Sequence, residues 1–411
     1  MTAINSGLCF RTAGTNLGLV YLGDGVMVCK KGIARAVCPW STLEAAWHCA
    51  GRPNIGAMDM KQGKSLSALA VEIERQSTAK RDFVAATRSL EMLVQDGAPA
   101  LSVPGVGAFG MNGHAHGQLA AHLDIPKRYY DRMAAGRPEL LAENVNHWLG
   151  KDDAKSRRMV RTLDGTARAF LSDRYQPFDN DLVASAALET LQDVAPGMVI
   201  QSADLTPTKL YIKASFPMIQ REVKKGDVVE SGVLISNSEV GAGAVDVAPW
   251  STRLICLNGM KHTAFGARRN HVGRVVGGSD GAEIFQSDTL RADVKAFLLR
   301  LRDVIKATVD PAQFAAIVEQ MAEAAGQRIE GDVVQVVEVT AKRLALSEGE
   351  KSGVLRHLIE GGDLSRWGLA NAVTRAAADC DEYDRASELE ALGGRVIEMP
   401  QASWREISQA A

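Results

Sequence analysis

Apolar and polar positions change their rhythm along the chain, and the changes mark out its regions. Positions 1–60 are Gly-rich and show no sustained period, with Trp40 and Trp47 as the expected anchors. A helical rhythm begins after Ser65, where Leu66, Leu69, Ala70 and Ile73 recur at i, i+3, i+4 and i+7, the spacing of one buried face. Short helices are expected across 117–150, broken by Pro126 and restarted by Pro138 as a first-turn residue. The stretch 118–133 has the cadence of a helix-turn-helix, with Lys127, Arg128 and Arg132 in its second helix.

The period then falls toward two. Alternation and β-branched content predict strands over 167–171, 209–214, 228–236, 244–247 and 253–257, interrupted by one helix over 181–191 behind the capping pair Asp179-Asn180. Over 290–306 a helix reappears, with Leu290, Val294, Phe297, Leu298, Leu301 and Ile305 as its apolar stripe. The next helix is delimited by Asp310, Pro311 and Gly326, and the remainder reads as helical, with Gly393 as a helix stop. The expected class is α+β: an antiparallel β-rich core flanked by an N-terminal helical region and an acidic C-terminal helical region. The expected divisions are an irregular Cys-containing segment (1–60), a helical region (61–150), a β-rich core with a basic helix (151–310) and the acidic helices (311–411).

Composition refines this picture in two places. The net charge of −2 excludes a generally basic nucleic-acid-binding chain, but the charge is unevenly placed. Residues 307–411 hold 18 Asp and Glu against 10 Lys and Arg, whereas residues 1–306 carry a net +6. Cys9, Cys29, Cys38 and Cys49 lack the close spacing that sets two thiolates on one metal, so free or buried thiols are expected. No run approaches the roughly 20 apolar residues of a membrane span, and no secretory signal is read, so a cytoplasmic protein is expected.

Candidate chemistry concentrates in the middle of the chain. Between Arg253 and Arg274 lie five cations (Arg253, Lys261, Arg268, Arg269, Arg274), together with His262 and His271, and no carboxylate. On the following helix Arg291, Lys295, Arg302 and Lys306 fall along one face. Phosphates are gripped by several cations along a groove, and single-stranded bases by nearby aromatics. The expected nucleic-acid contacts are therefore Arg174, Arg253, Lys261, Arg268, Arg269, His271, Arg274, Arg291, Lys295 and Arg302, with Tyr175, Phe178, Trp250 and Phe265 as stacking candidates. A second constellation, Asp179, Asn180, Asn237, Glu239 and Asn258, sits in loops beside strands and is a possible polar cleft. It could serve acid–base work or bind a divalent metal. No residue set has metal-ligand spacing, no hydrolase, zincin or deaminase signature occurs, and no cofactor is expected.

Several blocks, taken in order, carry a resemblance: HAHGQLAAHLDIPKRYYDRM (114–133), NVNHWL (144–149), RTLDGTARAFLSDRYQPFDN (161–180), SNSEVGAGAVDV (236–247), RLICLNGM (253–260), RRNHVGR (268–274), GGDLSRWGLANAVT (361–374) and YDRASELEALGG (383–394). Together they resemble a family of phage- and plasmid-borne proteins built on a domain of unknown function. The resemblance implies a mobile-element context and supplies no catalytic mechanism. The leading expectation is a homo-oligomeric protein that binds single-stranded DNA in recombination or replication, and binding is favoured over catalysis. The alternatives are a metal-dependent enzyme acting on nucleic acid or nucleotide, and a counter-defence or regulatory module that binds a protein.

Overall fold

The computed structural model describes residues 63–271 and 292–410, and beyond these the backbone of a few strands and of the start of one helix. The chain forms two compact units, Met1–Met58 and Asp59–Ala411. In the first, strands β1 (Cys9–Arg11), β2 (Leu17–Leu22), β3 (Gly25–Lys30), β4 (Ile33–Ala34) and β5 (Cys38–Pro39) form an antiparallel sheet.

The second unit opens with α1 (Leu66–Ala79), whose N-terminus is capped by Ser65. Its first sheet is made of β6 (Arg81–Ala86), β7 (Glu91–Gln95), β8 (Ala98–Val103), β9 (Gly107–Met111), β10 (Arg157–Leu163) and β11 (Thr166–Ser172), in the order β6-β10-β11-β9-β8-β7. Only the β9–β11 pair is parallel. Between β9 and β10 come α2 (Gly113–His122), α3 (Lys127–Gly136) and α4 (Pro138–Lys151). Leu119, Tyr130, Leu141, Val145 and Leu149 of these helices pack on Leu101, Val160 and Phe170 of the sheet. The expected N-terminal helical region is thus corrected to a helix-covered mixed sheet. The segment 81–111 hid its strands because it is only half buried and its alternation is interrupted by Gly, Pro and short turns.

The second sheet is fully antiparallel and curls into a half-barrel. Helix α5 (Asn180–Val194) precedes β12 (Val199–Leu205), β13 (Leu210–Lys224), β14 (Asp227–Asn237), β15 (Val245–Arg253) and β16 (Asn258–Lys261), and β17 (Ala267–Arg269) pairs with β15. The short strands β18 (Val276–Gly277) and β19 (Ala282–Glu283) pair separately. One face of the half-barrel, with Ile212, Ala214, Val233, Ile235, Val245 and Val247, is covered by α1, α5 and α6 (Ser287–Thr308). The other face presents Tyr211, Leu234 and Trp250 to Tyr383. β14 is buried along most of its length, and its β-branched Val228, Val229, Val233 and Ile235 mark 228–236 as a strand although Glu230 and Ser231 interrupt the apolar run.

Six further helices complete the fold: α7 (Pro311–Gly326), α8 (Val333–Leu344), α9 (Glu348–Gly361), α10 (Arg366–Arg375), α11 (Tyr383–Glu398) and α12 (Gln401–Ser408). Asp310 and Pro311 start α7 as expected, and a Ser347–Glu350 capping box starts α9. Gly393 does not stop a helix. It and Gly394 lie inside α11, where a Cβ on Gly393 would meet Thr374 Cγ2 at 2.2 Å and one on Gly394 would meet the Lys261 carbonyl oxygen at 1.8 Å. These glycines let α11 lie directly on α10 and on β16, a packing use that local sequence rules assign to termination.

Candidate functional site: a buried charge cluster and a basic groove

The two six-stranded sheets of the larger unit meet in part through charged side chains. β10 and β11 pair with a bulge at Arg161/Thr162: Arg161 opposes Ala169, Thr162 opposes Ala167, and Arg168 is the extra residue. A bulge re-aims side chains, and here both arginines reach the β14–β15 loop. Arg168 Nη2 donates to Glu239 Oε2 at 2.7 Å. Arg161 donates to Asp82 (2.8 Å), to the Glu239 backbone oxygen (2.8 Å) and to Asp179 (2.9 Å). Lys80 Nζ lies 2.9, 3.5 and 3.8 Å from carboxylate oxygens of Asp179, Glu239 and Asp181. The second Glu239 oxygen accepts from the Asn180 backbone N–H at 2.6 Å, and Asn237 Nδ2 donates to Asn180 Oδ1 and to the Phe178 carbonyl.

The polar-cleft residues Asp179, Asn180, Asn237 and Glu239 therefore come together, and Asn258 does not. It lies in the C-terminal core, donating to Asn371 Oδ1 at 3.1 Å and lying 2.5 Å from Thr374 Oγ1. Asp179 does not cap α5 with its side chain, because its carboxylate is engaged by Arg161 and Lys80. Burial opposes ionisation of Asp179, but Arg161 and Lys80 outweigh it and hold its pKa below the usual value. Asp181 goes the other way: burial raises its pKa against the pull of Lys80, with Asp179 and Glu239 adding repulsion. The ammonium of Lys80 stands among three carboxylates, the place a cation would take. Among the described residues no group of three or more His, Cys, Asp or Glu side chains is arranged to hold a metal ion.

Sequence reasoning missed Lys80, Asp82, Arg161, Arg168 and Asp181. The available signal was charge in apolar strands: Arg161 and Arg168 interrupt MVRTL and TARAF, and both arginines are buried. A buried guanidinium requires carboxylate or carbonyl partners, and these had to come from elsewhere in the chain.

The expected nucleic-acid contacts do not form one cluster. Arg253 is bound by Asp227 through Nε at 2.6 Å and Nη2 at 2.7 Å, and its guanidinium lies over Trp367. Lys261 pairs with Asp246, and Arg269 pairs with Asp293 while lying over the Phe178 and Phe297 rings. Absence of acids from 253–274 did not leave these cations open, because β14, β15 and α6 supply the acids. Tyr175, Phe178 and Trp250 are buried, leaving Phe265 as the partly exposed stacking candidate. His271 stacks on Tyr175 with ring centroids 5.1 Å apart and is buried. Arg274, Cys49, Trp40 and Trp47 lie outside the described residues, as do the side chains of Arg291, Cys9, Cys29 and Cys38.

Four of the expected contacts, Arg174, Arg268, Lys295 and Arg302, are exposed. Arg268 on β17 and Arg300 on α6 line a groove of about 550 Å³ together with Phe265, Phe297 and Asp303. Lys295, Arg302 and Lys306 are exposed along α6, where Arg302 pairs with Asp303. Arg268, Lys295 and Lys306 make no ion pair with a described residue, and Arg174 is exposed after β11.

Two buried histidines set a pH limit on this architecture. Burial pushes His262, bonded to Ser251 at 2.8 Å, down to about 4, and likewise His271, where Arg161 and Arg269 add repulsion against the Gln176 carbonyl. Both are neutral in the folded state near neutrality, whereas the unfolded chain takes up their protons below about 6.5. Stability is thus unaffected above that pH and falls as pH drops from about 6.5 towards 4. Urea midpoints measured from pH 7.5 to 4.5 should fall, and His262→Gln should flatten the slope. An unchanged slope in that variant refutes the assignment.

With this geometry in place, the class is a mixed α+β protein whose half-barrel is tied to a mixed sheet by ionic contacts. The chain belongs to the family described as Domain of unknown function (DUF932), whose model matches residues 169–380. That match takes in Asp179, Asn180, Asn237 and Glu239, the half-barrel and the helices through α10. No curated protein and no solved structure matches the chain. No helix among the described residues is long and apolar enough to cross a membrane.

Proposed function

We propose that this protein binds single-stranded DNA along the β17–α6 face, as an element of recombination or replication carried by a phage or plasmid. The observation that supports this reading is the groove lined by Arg268, Arg300 and Phe265; exposed Lys295, Arg302 and Lys306 form a separate basic line more than roughly 100° round the same helix. Guanidinium groups hold phosphates with bidentate geometry, and an aromatic ring in the same groove offers a base its stacking partner. Among the described residues one subunit presents a short cationic stretch there, so the reading includes assembly of several copies to make a longer track. The mobile-element context rests on the resemblance of the sequence blocks. Carboxylates of the charge cluster are neutralised by protein cations, which favours a binding role over a catalytic one.

Fluorescence anisotropy with a labelled oligothymidylate tests the proposal. Binding should weaken steeply with salt, and Arg268→Glu with Arg300→Glu should lower affinity at least about tenfold while flattening the log–log salt slope by about two phosphate contacts. Absence of binding at low salt with micromolar protein, or identical affinity in the double variant, overturns it.

A further inference from the structure

We infer that helix α3 is a second nucleic-acid contact, one that docks in the groove of double-stranded DNA as the outer helix of a helix-turn-helix. The inference is independent of the β17–α6 reading and concerns a different part of the fold.

The geometry starts with the turn. Helix α2 sets Leu119 and Ala120 in the core. The chain then reverses at Asp124, which takes a left-handed φ of 53°, and the Ile125 N–H returns to the Ala120 carbonyl at 2.9 Å. A left-handed residue between two helices, followed by a buried aliphatic, makes the sharp corner that a three- to four-residue helix-turn-helix turn requires. Helix α3 then buries Tyr130 and Met133, and Tyr130 is tied to His116 of α2 at 2.8 Å. These anchors hold α3 by one side only, against α2, α4 and β8.

Its other side is open. Arg128, Arg132, Ala135 and Gly136 are exposed, and Tyr129, at 49% exposure, borders them. Between positions 126 and 137 there are four cations and one carboxylate, and that carboxylate, Asp131, is spent on Lys127. Arg128, Arg132 and Arg137 make no ion pair with a described residue. Arg128 and Arg132 stand one helical turn apart, so both guanidinium groups emerge on the same outer face. Ala135 and Gly136 beside them let the helix backbone approach a surface closely. Ten residues make a rod about 15 Å long, and a major groove about 12 Å wide admits such a helix with phosphates on either side. A single strand fits less well, because this face is convex and offers only Tyr129 for stacking.

The experiment uses the full-length chain, a labelled mixed-sequence duplex of about two helical turns (~21 base pairs), and oligothymidylate in parallel. Arg128→Glu with Arg132→Glu should weaken duplex binding at least about tenfold and reduce the salt slope by roughly two contacts. Oligothymidylate binding and the melting temperature should not change, since both side chains lie in solvent. Arg268→Glu with Arg300→Glu should show the converse pattern. Duplex affinity equal to that of the native chain in the Arg128/Arg132 variant overturns the inference, as does native protein that binds oligothymidylate but no duplex. Displacement of the duplex by polyglutamate at equal charge concentration would assign the face to an acidic protein and overturn it too. Loss of oligothymidylate binding alone would sink only the groove proposal.

Discussion

Replacing Glu239 with alanine is expected to destabilise the larger unit by about 3–5 kcal/mol, the cost of breaking a buried ion pair from one side. Glu239 is 4% exposed and is held by Arg168 at 2.7 Å and by the Asn180 N–H at 2.6 Å. Without it the Arg168 guanidinium stays buried with no carboxylate against it, and the first turn of α5 loses an acceptor. Lys80 keeps Asp179, so the loss falls mainly on Arg168 and Asn180. Glu239→Gln should cost less, because an amide oxygen can still accept from Asn180. Adding Arg168→Leu to Glu239→Leu should recover part of the loss. Urea denaturation of the native chain, Glu239→Leu, Arg168→Leu and the double variant measures the coupling, and a loss below about 1 kcal/mol in Glu239→Ala would show that the cluster is solvated.

A comparably large effect is expected at the opposite face of the half-barrel. Lys213 on β13 and Glu390 on α11 lie 2.7 Å apart, with side chains 1% and 3% exposed. Burial works against the Lys213 ammonium, but the Glu390 carboxylate outweighs it and the lysine pKa is raised. The ammonium also sits 4.8 Å from the centroid of the Tyr383 ring. Lys213→Met should cost about 3–5 kcal/mol by leaving a buried carboxylate unopposed, whereas Lys213→Met with Glu390→Leu should return to within about 1–2 kcal/mol of the native protein. The double variant separates the cost of breaking a pair from the worth of having one. If the single and double variants are equally unstable, the loss lies in packing and not in charge.

These contacts show how far the chain could be read without its fold. Strands β11 and β14 and helices α5 and α6 were legible from their apolar positions, and α1 and α7 also from explicit caps: Ser65 starts the first, and Asp310 and Pro311 start the second. The strands at 81–111 were not legible, because short, half-exposed segments give no sustained alternation. Of the five residues grouped from loop composition, Asp179, Asn180, Asn237 and Glu239 lie together and Asn258 lies in the C-terminal core, since polar residues beside apolar strands must find partners and the sequence does not say which. Their partners Arg161 and Arg168 were not grouped with them, because a bulge decides which way they face. Likewise, Arg253 and Lys261 looked free in a carboxylate-free segment, yet cross-strand neighbours from distant positions neutralise both.

The amino-acid order by itself determined the alternation of helix and strand through the middle and end of the chain, the helix starts and the acidic C-terminal region. These follow from backbone preference and from burial of one face, which act over a few residues. Tertiary structure alone decided the pairing of charges, the use of Gly393 and Gly394 as contact points, and which cations face water. Those outcomes depend on Coulomb and packing contacts between residues tens to well over a hundred positions apart, and no local pattern carries that information.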